Sequence, residues 1–234
     1  MIYFDDLPLD KDILVALGEL RINYVFQPIF QADGKTIYAR EALMRPVDMP
    51  VMELIEKYTK EGRLHVLEIA TFFGAMQEYV LRGYTEHICL NSFPSEYFTM
   101  AESKAFSDYF GDLSGLGIIE ILEYPYISEH ACKLKIQATK AQNLKVAIDD
   151  FGDGLSNMDL VKLMSPDIVK LDRSLISNID KDKKKQEDVK KLVLEFHERG
   201  IQVVAEGVER KEEYEYLLGL GVDFYQGYYF AMPE

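Results

Sequence analysis

Cysteine is nearly missing from this chain: Cys89 and Cys132 are the only two among 234 residues, too few for a disulfide framework. Each lies in a segment that reads as buried strand or helix, so both are expected as reduced core residues. Positive charge is also scarce. Lys and Arg number 26 against 40 Asp and Glu, a net charge of −14, which excludes the broad basic footprint of a protein that grips duplex nucleic acid. A small phosphorylated ligand is still compatible, because a few basic residues and a metal serve a single site. No apolar run reaches the roughly 20 residues needed to span a bilayer. The start, MIYFDDLPLD, carries acid where a targeting segment carries base. A cytoplasmic chain without a membrane segment is expected. No low-complexity linker or short repeat divides the sequence, and its length suits one core, so residues 1–234 are read as one domain.

What the sequence does have is a series of short apolar runs rich in β-branched and aromatic residues. Eight stand out: NYVFQPI (23–29), TIYAREALM (36–44), HICLNS (87–92), GIIEIL (117–122), KVAIDD (145–150), DIVKLD (167–172), QVVAEGV (202–208) and DFYQGYYF (223–230). Helical patterns separate most of them: the long stretch 51–83, then ISEHACKLKIQATKAQN, QEDVKKLVLEFHERG and KEEYEYLLGLG, several closing on Gly or Asn. Strand and helix in alternation predict a mostly parallel sheet. Between the first two runs, QADGK places an Asp33-Gly34 turn signal, so these strands are expected to form an antiparallel hairpin. The pattern fits an α/β fold, a (β/α)8 TIM-like barrel with an antiparallel first strand, better than an open doubly wound sheet. The charge run DKDKKKQED (180–188) reads as a solvated loop leading into a helix.

In such a barrel the chemistry gathers at the C-terminal rim, so polar residues late in each run are the candidates. They are Gln27, Glu41, Asn91, Glu120, the pair Asp149 and Asp150, Lys170, Glu206 and Gln226. Charges on buried strands are costly unless paired or metal-bound. Carboxylates with Asn and Gln oxygens form a hard-oxygen set that suits Mg²⁺ or Mn²⁺, and the lack of His or Cys at these positions disfavours Zn²⁺. Two ions bridged by a carboxylate would let Asp149 and Asp150 stay ionised side by side and would activate water against a phosphodiester. Lys170 would then hold that water or neutralise developing charge. An unrelated metal-dependent sugar-phosphate barrel also fits the carboxylates taken alone.

The motifs, read in order, narrow this. FQPI (26–29), EALMR (41–45), LNSFP (90–94), EILE (120–123), DDFGDG (149–154), KLD (170–172), AEGVE (205–209) and QGYYF (226–230) resemble the EAL-domain family of cyclic diguanylate phosphodiesterases, from about Tyr24 to Pro233. The resemblance implies hydrolysis of cyclic di-GMP to the linear dinucleotide pGpG with two Mg²⁺ or Mn²⁺ ions, inhibition by Ca²⁺, and a homodimer. It implies that Glu41, Asn91, Glu120, Asp149, Asp150 and Glu206 are metal ligands. Lys170, Glu206 and Glu41 would be catalytic, with Lys170 and Glu206 positioning the attacking water. Gln27, Leu43, Arg45, Glu209 and Gln226 match substrate-binding positions, and Arg45 makes independent sense as a phosphate partner. Glu123 matches the anchor of the loop after the fifth strand. That loop departs from the family's usual Phe-Gly-Thr-Gly-Tyr-Ser-Ser, since Asp153, Leu155 and Asn157 replace Thr, Tyr and Ser. LNSFP likewise departs from the commoner Asn-x-Ser-Pro but keeps Asn91. A different class stays open beside the enzyme: a weak or silent EAL-type receptor or protein-binding module, which would be expected to have lost metal ligands.

Overall fold

Each of the eight apolar runs becomes a strand in a computed structural model that describes residues 8–152 and 158–234. The strands are β1 (Ile22–Gln31), β2 (Ile37–Pro46), β3 (His87–Ser92), β4 (Gly117–Ile121), β5 (Lys145–Phe151), β6 (Ile168–Leu171), β7 (Gln202–Ala205) and β8 (Phe224–Tyr225). They close into a barrel in sequence order, which rules out the open sheet. The hairpin forms as its turn signal predicts. Asp33 accepts backbone bonds from Lys35 and Thr36, Gly34 takes φ 64°, and β1 runs antiparallel to both β2 and β8.

The helices cover this barrel on the outside: α1 (Lys11–Gly18), α2 (Val51–Lys60), α3 (Leu64–Ile69), α4 (Ala75–Leu81), α5 (Met100–Phe110), α6 (Glu129–Ala141), α7 (Met158–Met164), α8 (Arg173–Ile176), α9 (Lys183–Glu198) and α10 (Lys211–Gly219). Asp182 caps α9, so the charge run enters a helix as expected. Two expectations need correction. The stretch 51–83 is not one helix: it breaks after Lys60, where Gly62 takes φ 65°, and α3 and α4 are joined by a π-helical turn, Ala70–Gly74. Tyr24 of β1 donates a hydrogen bond to the Ala70 carbonyl at 2.6 Å, and its ring lies where a side chain at Gly74 would stand. The eighth strand is also shorter than 223–230. It ends at Tyr225, and Gly227, at φ 153°, turns so close to Val208 that a Cβ there would lie 2.2 Å from the Val208 carbonyl oxygen.

Inside the barrel, one residue from each strand builds an apolar plug: Ile29, Ala39, Cys89, Ile118, Ala147, Ile168, Val204 and Phe224. Side chains on a strand alternate in direction with period two. Two residues beyond each plug residue the chain therefore points inward again, and there it carries Glu41, Asn91, Glu120, Asp149, Lys170, Glu206 and Gln226. On β1, which runs the other way, the same step goes backward, from Ile29 to Gln27. The apolar floor and the polar layer above it come from one register. Both cysteines are free and buried, Cys89 in the floor and Cys132 in the larger cluster between barrel and helices.

Candidate active site

Lys170 is the hub of the polar layer, with only 1% of its surface exposed. Its Nζ lies 2.6 Å from Glu206 Oε1, 2.7 Å from Asp149 Oδ1, 3.1 Å from Glu120 Oε1 and 3.3 Å from Glu41 Oε2. Gln226 Nε2 donates to the same Glu41 oxygen at 2.6 Å and to Gln27 Oε1 at 3.4 Å, and Gln27 donates to the Ala231 carbonyl at 3.4 Å. Asn91 donates its amide to the Ala42 carbonyl at 3.2 Å. Its amide orientation is thereby fixed, and Oδ1 is left buried with no hydrogen-bond partner among the described residues.

One ammonium among this many carboxylates leaves negative charge uncompensated. Burial raises Glu120 to about 8, with Glu41 and Asp149 adding to the rise against the pull of Lys170. Asp150 is raised to about 7, by burial and then by Asp149 beside it. Asp149 and Glu206 are also pushed up, mainly by burial. Lys170 is held well above its ordinary value because its neighbours Asp149, Glu120, Glu206 and Glu41 outweigh the cost of burying it. Asp150 sits at φ 48°, a left-handed conformation that is strained for a non-glycine residue and clusters at functional sites.

The carboxylates divide into two groups whose oxygens lie within 4.8 Å of one another, Glu41 with Glu120 and Asp149, and Asp149 with Asp150 and Glu206. Asp149 belongs to both. Hard oxygens, excess negative charge and the orphaned Asn91 Oδ1 all fit a pair of divalent cations.

Two cavities flank this cluster and share Glu41 and Leu43 on their walls. One, of about 220 Å³, is apolar and is lined by Met44, Val51, Met52 and Ile55, with Arg45 exposed beside it. The other, of about 320 Å³, is polar and contains Gln27, Asp150, Glu209 and Gln226. All the substrate-binding candidates thus meet around the carboxylates. Asp172, Arg173 and Tyr228 line the polar cavity too and were not singled out from sequence. The place of Asp172 and Arg173, in and directly after KLD, was the available signal. Arg173 pairs with Glu209 at 2.7 Å. Glu123 lies just past β4, while the loop it is expected to anchor, with Asp153, Leu155 and Asn157, falls outside the described residues.

Known proteins resemble this chain in sequence and fold. The chain is 29% identical over 94% of its length to cyclic di-GMP phosphodiesterase TpdA of Vibrio parahaemolyticus. It is 31% identical over 97% to probable cyclic di-GMP phosphodiesterase PdeD of Escherichia coli. It spans 38% and 44% of those two relatives. Among solved structures, a standalone EAL protein from Vibrio cholerae in its c-di-GMP-bound form superposes with a TM-score of 0.83 at 27% identity, covering 92% of this chain and 93% of that one. A manganese and cyclic di-GMP complex of BlrP1 from Klebsiella pneumoniae gives 0.78 at 26%, covering 91% and 56%. A family model described as EAL domain matches residues 10–233, and the chain belongs to the EAL-domain family.

Proposed function

We propose that the protein is a divalent-metal-dependent phosphodiesterase that hydrolyses one phosphodiester bond of cyclic di-GMP to give pGpG. The observation that carries this reading is Asp149, common to two carboxylate groups around one buried lysine. Glu41, Asn91, Glu120 and Asp149 would hold one Mg²⁺ or Mn²⁺ ion, and Asp149, Asp150 and Glu206 a second. Bound there, the ions supply positive charge that makes water a nucleophile at neutral pH and offsets charge on the phosphate oxygens.

The chain's own residues do the rest. Glu206, 2.6 Å from Lys170 and in contact with the polar cavity, accepts a proton from the attacking water. Lys170 donates hydrogen bonds from a fixed ammonium and stabilises charge that grows on phosphorus oxygens in the transition state. Gln226 holds the Glu41 carboxylate in place. Arg45, exposed beside the apolar cavity, donates one bond to the Met44 carbonyl at 3.0 Å and would offer its remaining donors to phosphate. An apolar and a polar cavity on either side of Leu43 suit a ligand with two flat bases and a charged centre.

The test is hydrolysis of cyclic di-GMP in Mg²⁺ or Mn²⁺ by the wild type, Glu41→Ala and Lys170→Ala. Turnover lost in both variants is expected. Full activity in both would refute the assignment, and tight nucleotide binding by the wild type without turnover in either metal would make the chain a receptor instead.

A further inference from the structure

Outside the barrel, under the exit of β3, lies a charged pair that the reaction does not use. Glu68 of α3 and Lys135 of α6 are 3.1 Å apart, and both are buried. Their remaining bonds converge on the two residues that follow Asn91. Glu68 Oε2 accepts the Phe93 backbone N–H at 2.9 Å and Oε1 accepts the Ser92 hydroxyl at 2.5 Å. Lys135 Nζ donates to the Phe93 carbonyl at 2.6 Å and also to Ser92 Oγ. Both backbone polar groups of Phe93 are thus gripped by side chains.

The grip replaces a missing ladder. On the β2 side, pairing with β3 ends at Ala42 and Leu90, one residue short of Asn91, while the β4 side continues through Asn91 and Ser92. Beyond that last pairing, the Phe93 N–H and C=O take Glu68 and Lys135 as partners instead. A buried ion pair contributes little net stability compared with apolar packing. Here its donors and acceptors are spent on one strand end rather than on joining two helices.

We propose that Glu68 and Lys135 are positioning residues that set the Asn91 side chain for its divalent cation. The proposal rests on the metal-dependent reading above. Residues that orient a metal ligand typically change metal affinity by about 10- to 100-fold when removed, and that is the loss expected here.

The experiment titrates Mn²⁺ into the protein without nucleotide and follows the free ion by electron paramagnetic resonance. Its variants are Lys135→Met, Glu68→Gln, the charge-free double Glu68→Met with Lys135→Met, and Lys135→Arg, each alone and combined with Asn91→Ala. Folded variants that lack either charge should bind Mn²⁺ about 10- to 100-fold more weakly, and Asn91→Ala should then add no further loss. Wild-type affinity in any folded variant that lacks either charge overturns the proposal, as does a loss that multiplies on the Asn91→Ala background. Failure of every variant to fold, Lys135→Arg included, would make the pair a stability element and overturn it equally. Absence of Mn²⁺ binding by the wild type overturns the metal-dependent reading itself, and this proposal with it.

Discussion

Replacing Lys170 by Met separates two roles that a lost activity alone would confuse. The ammonium lies 2.6–3.3 Å from four carboxylates and so would compete with the divalent cations of the proposed reaction. At an effective dielectric of about 20, one pair of unit charges 4 Å apart is worth about 4 kcal/mol. Breaking a buried pair typically costs about 3–5 kcal/mol, because the partner charge is left uncompensated. For a chain of this size that corresponds to a melting temperature lower by roughly 6–20 °C without metal.

With metal the sign reverses. Removing a competing cation should tighten Mn²⁺ binding by at least about tenfold, or about 1.4 kcal/mol, while turnover falls by roughly 100-fold or more with the loss of transition-state stabilisation. Thermal melts with and without Mn²⁺, a Mn²⁺ titration and a hydrolysis assay measure the three effects. A variant that binds Mn²⁺ more weakly than the wild type would refute the reasoning, since Lys170 would then be supporting the metal site rather than competing with it.

Two further predictions concern stability. His65 bonds Glu102 at 2.9 Å and lies 3.5 Å from Glu96, and these carboxylates, Glu102 first, raise it to about 9. A raised histidine stabilises fully below its unfolded value near 6.5 and loses that contribution as pH rises through about 9. The melting-temperature gap between wild type and His65→Gln should therefore close between pH 6.5 and 9.5, from an initial difference on the order of 1–2 kcal/mol after allowance for solvent screening. A gap that stays constant with pH argues against the charged ring. Tyr24→Phe leaves the Ala70 carbonyl without its 2.6 Å bond in the π-helical turn, at a cost of about 1–3 kcal/mol. Calorimetry should show a melting temperature lower by roughly 2–12 °C, and an unchanged value would mean that the turn does not need the hydroxyl.

The barrel was legible because period-two alternation and apolar runs depend on local sequence alone. The carboxylate cluster was legible for a related reason: in a barrel, polar residues late in each run share one height, as Glu41, Glu120 and Asp149 do around Lys170. The length of the last strand was not legible. DFYQGYYF reads as continuous strand, yet the approach of Val208 to Gly227 ends it after Tyr225, and that contact is tertiary. The π-helical turn was hidden for the same cause, since its partner Tyr24 lies 46 residues away from Ala70. Glu68 and Lys135 look like solvent-facing helix charges in sequence. Only their meeting at Ser92 and Phe93, where β3 ends, buries them together.

The seam between β1 and β8 bears on the order in which the molecule assembles. Its contacts join positions 185 to 204 residues apart: Gln226 to Glu41, Gln226 to Gln27, and Gln27 to Ala231. Contacts of such separation carry the largest loop-closure cost and reward the chain last. Glu41 is steadied across that seam by Gln226, while Lys170 reaches it from β6. A folding chain whose seam is still open would lack the Gln226 bond to Glu41, so the carboxylate cluster is completed together with the closing of the ring.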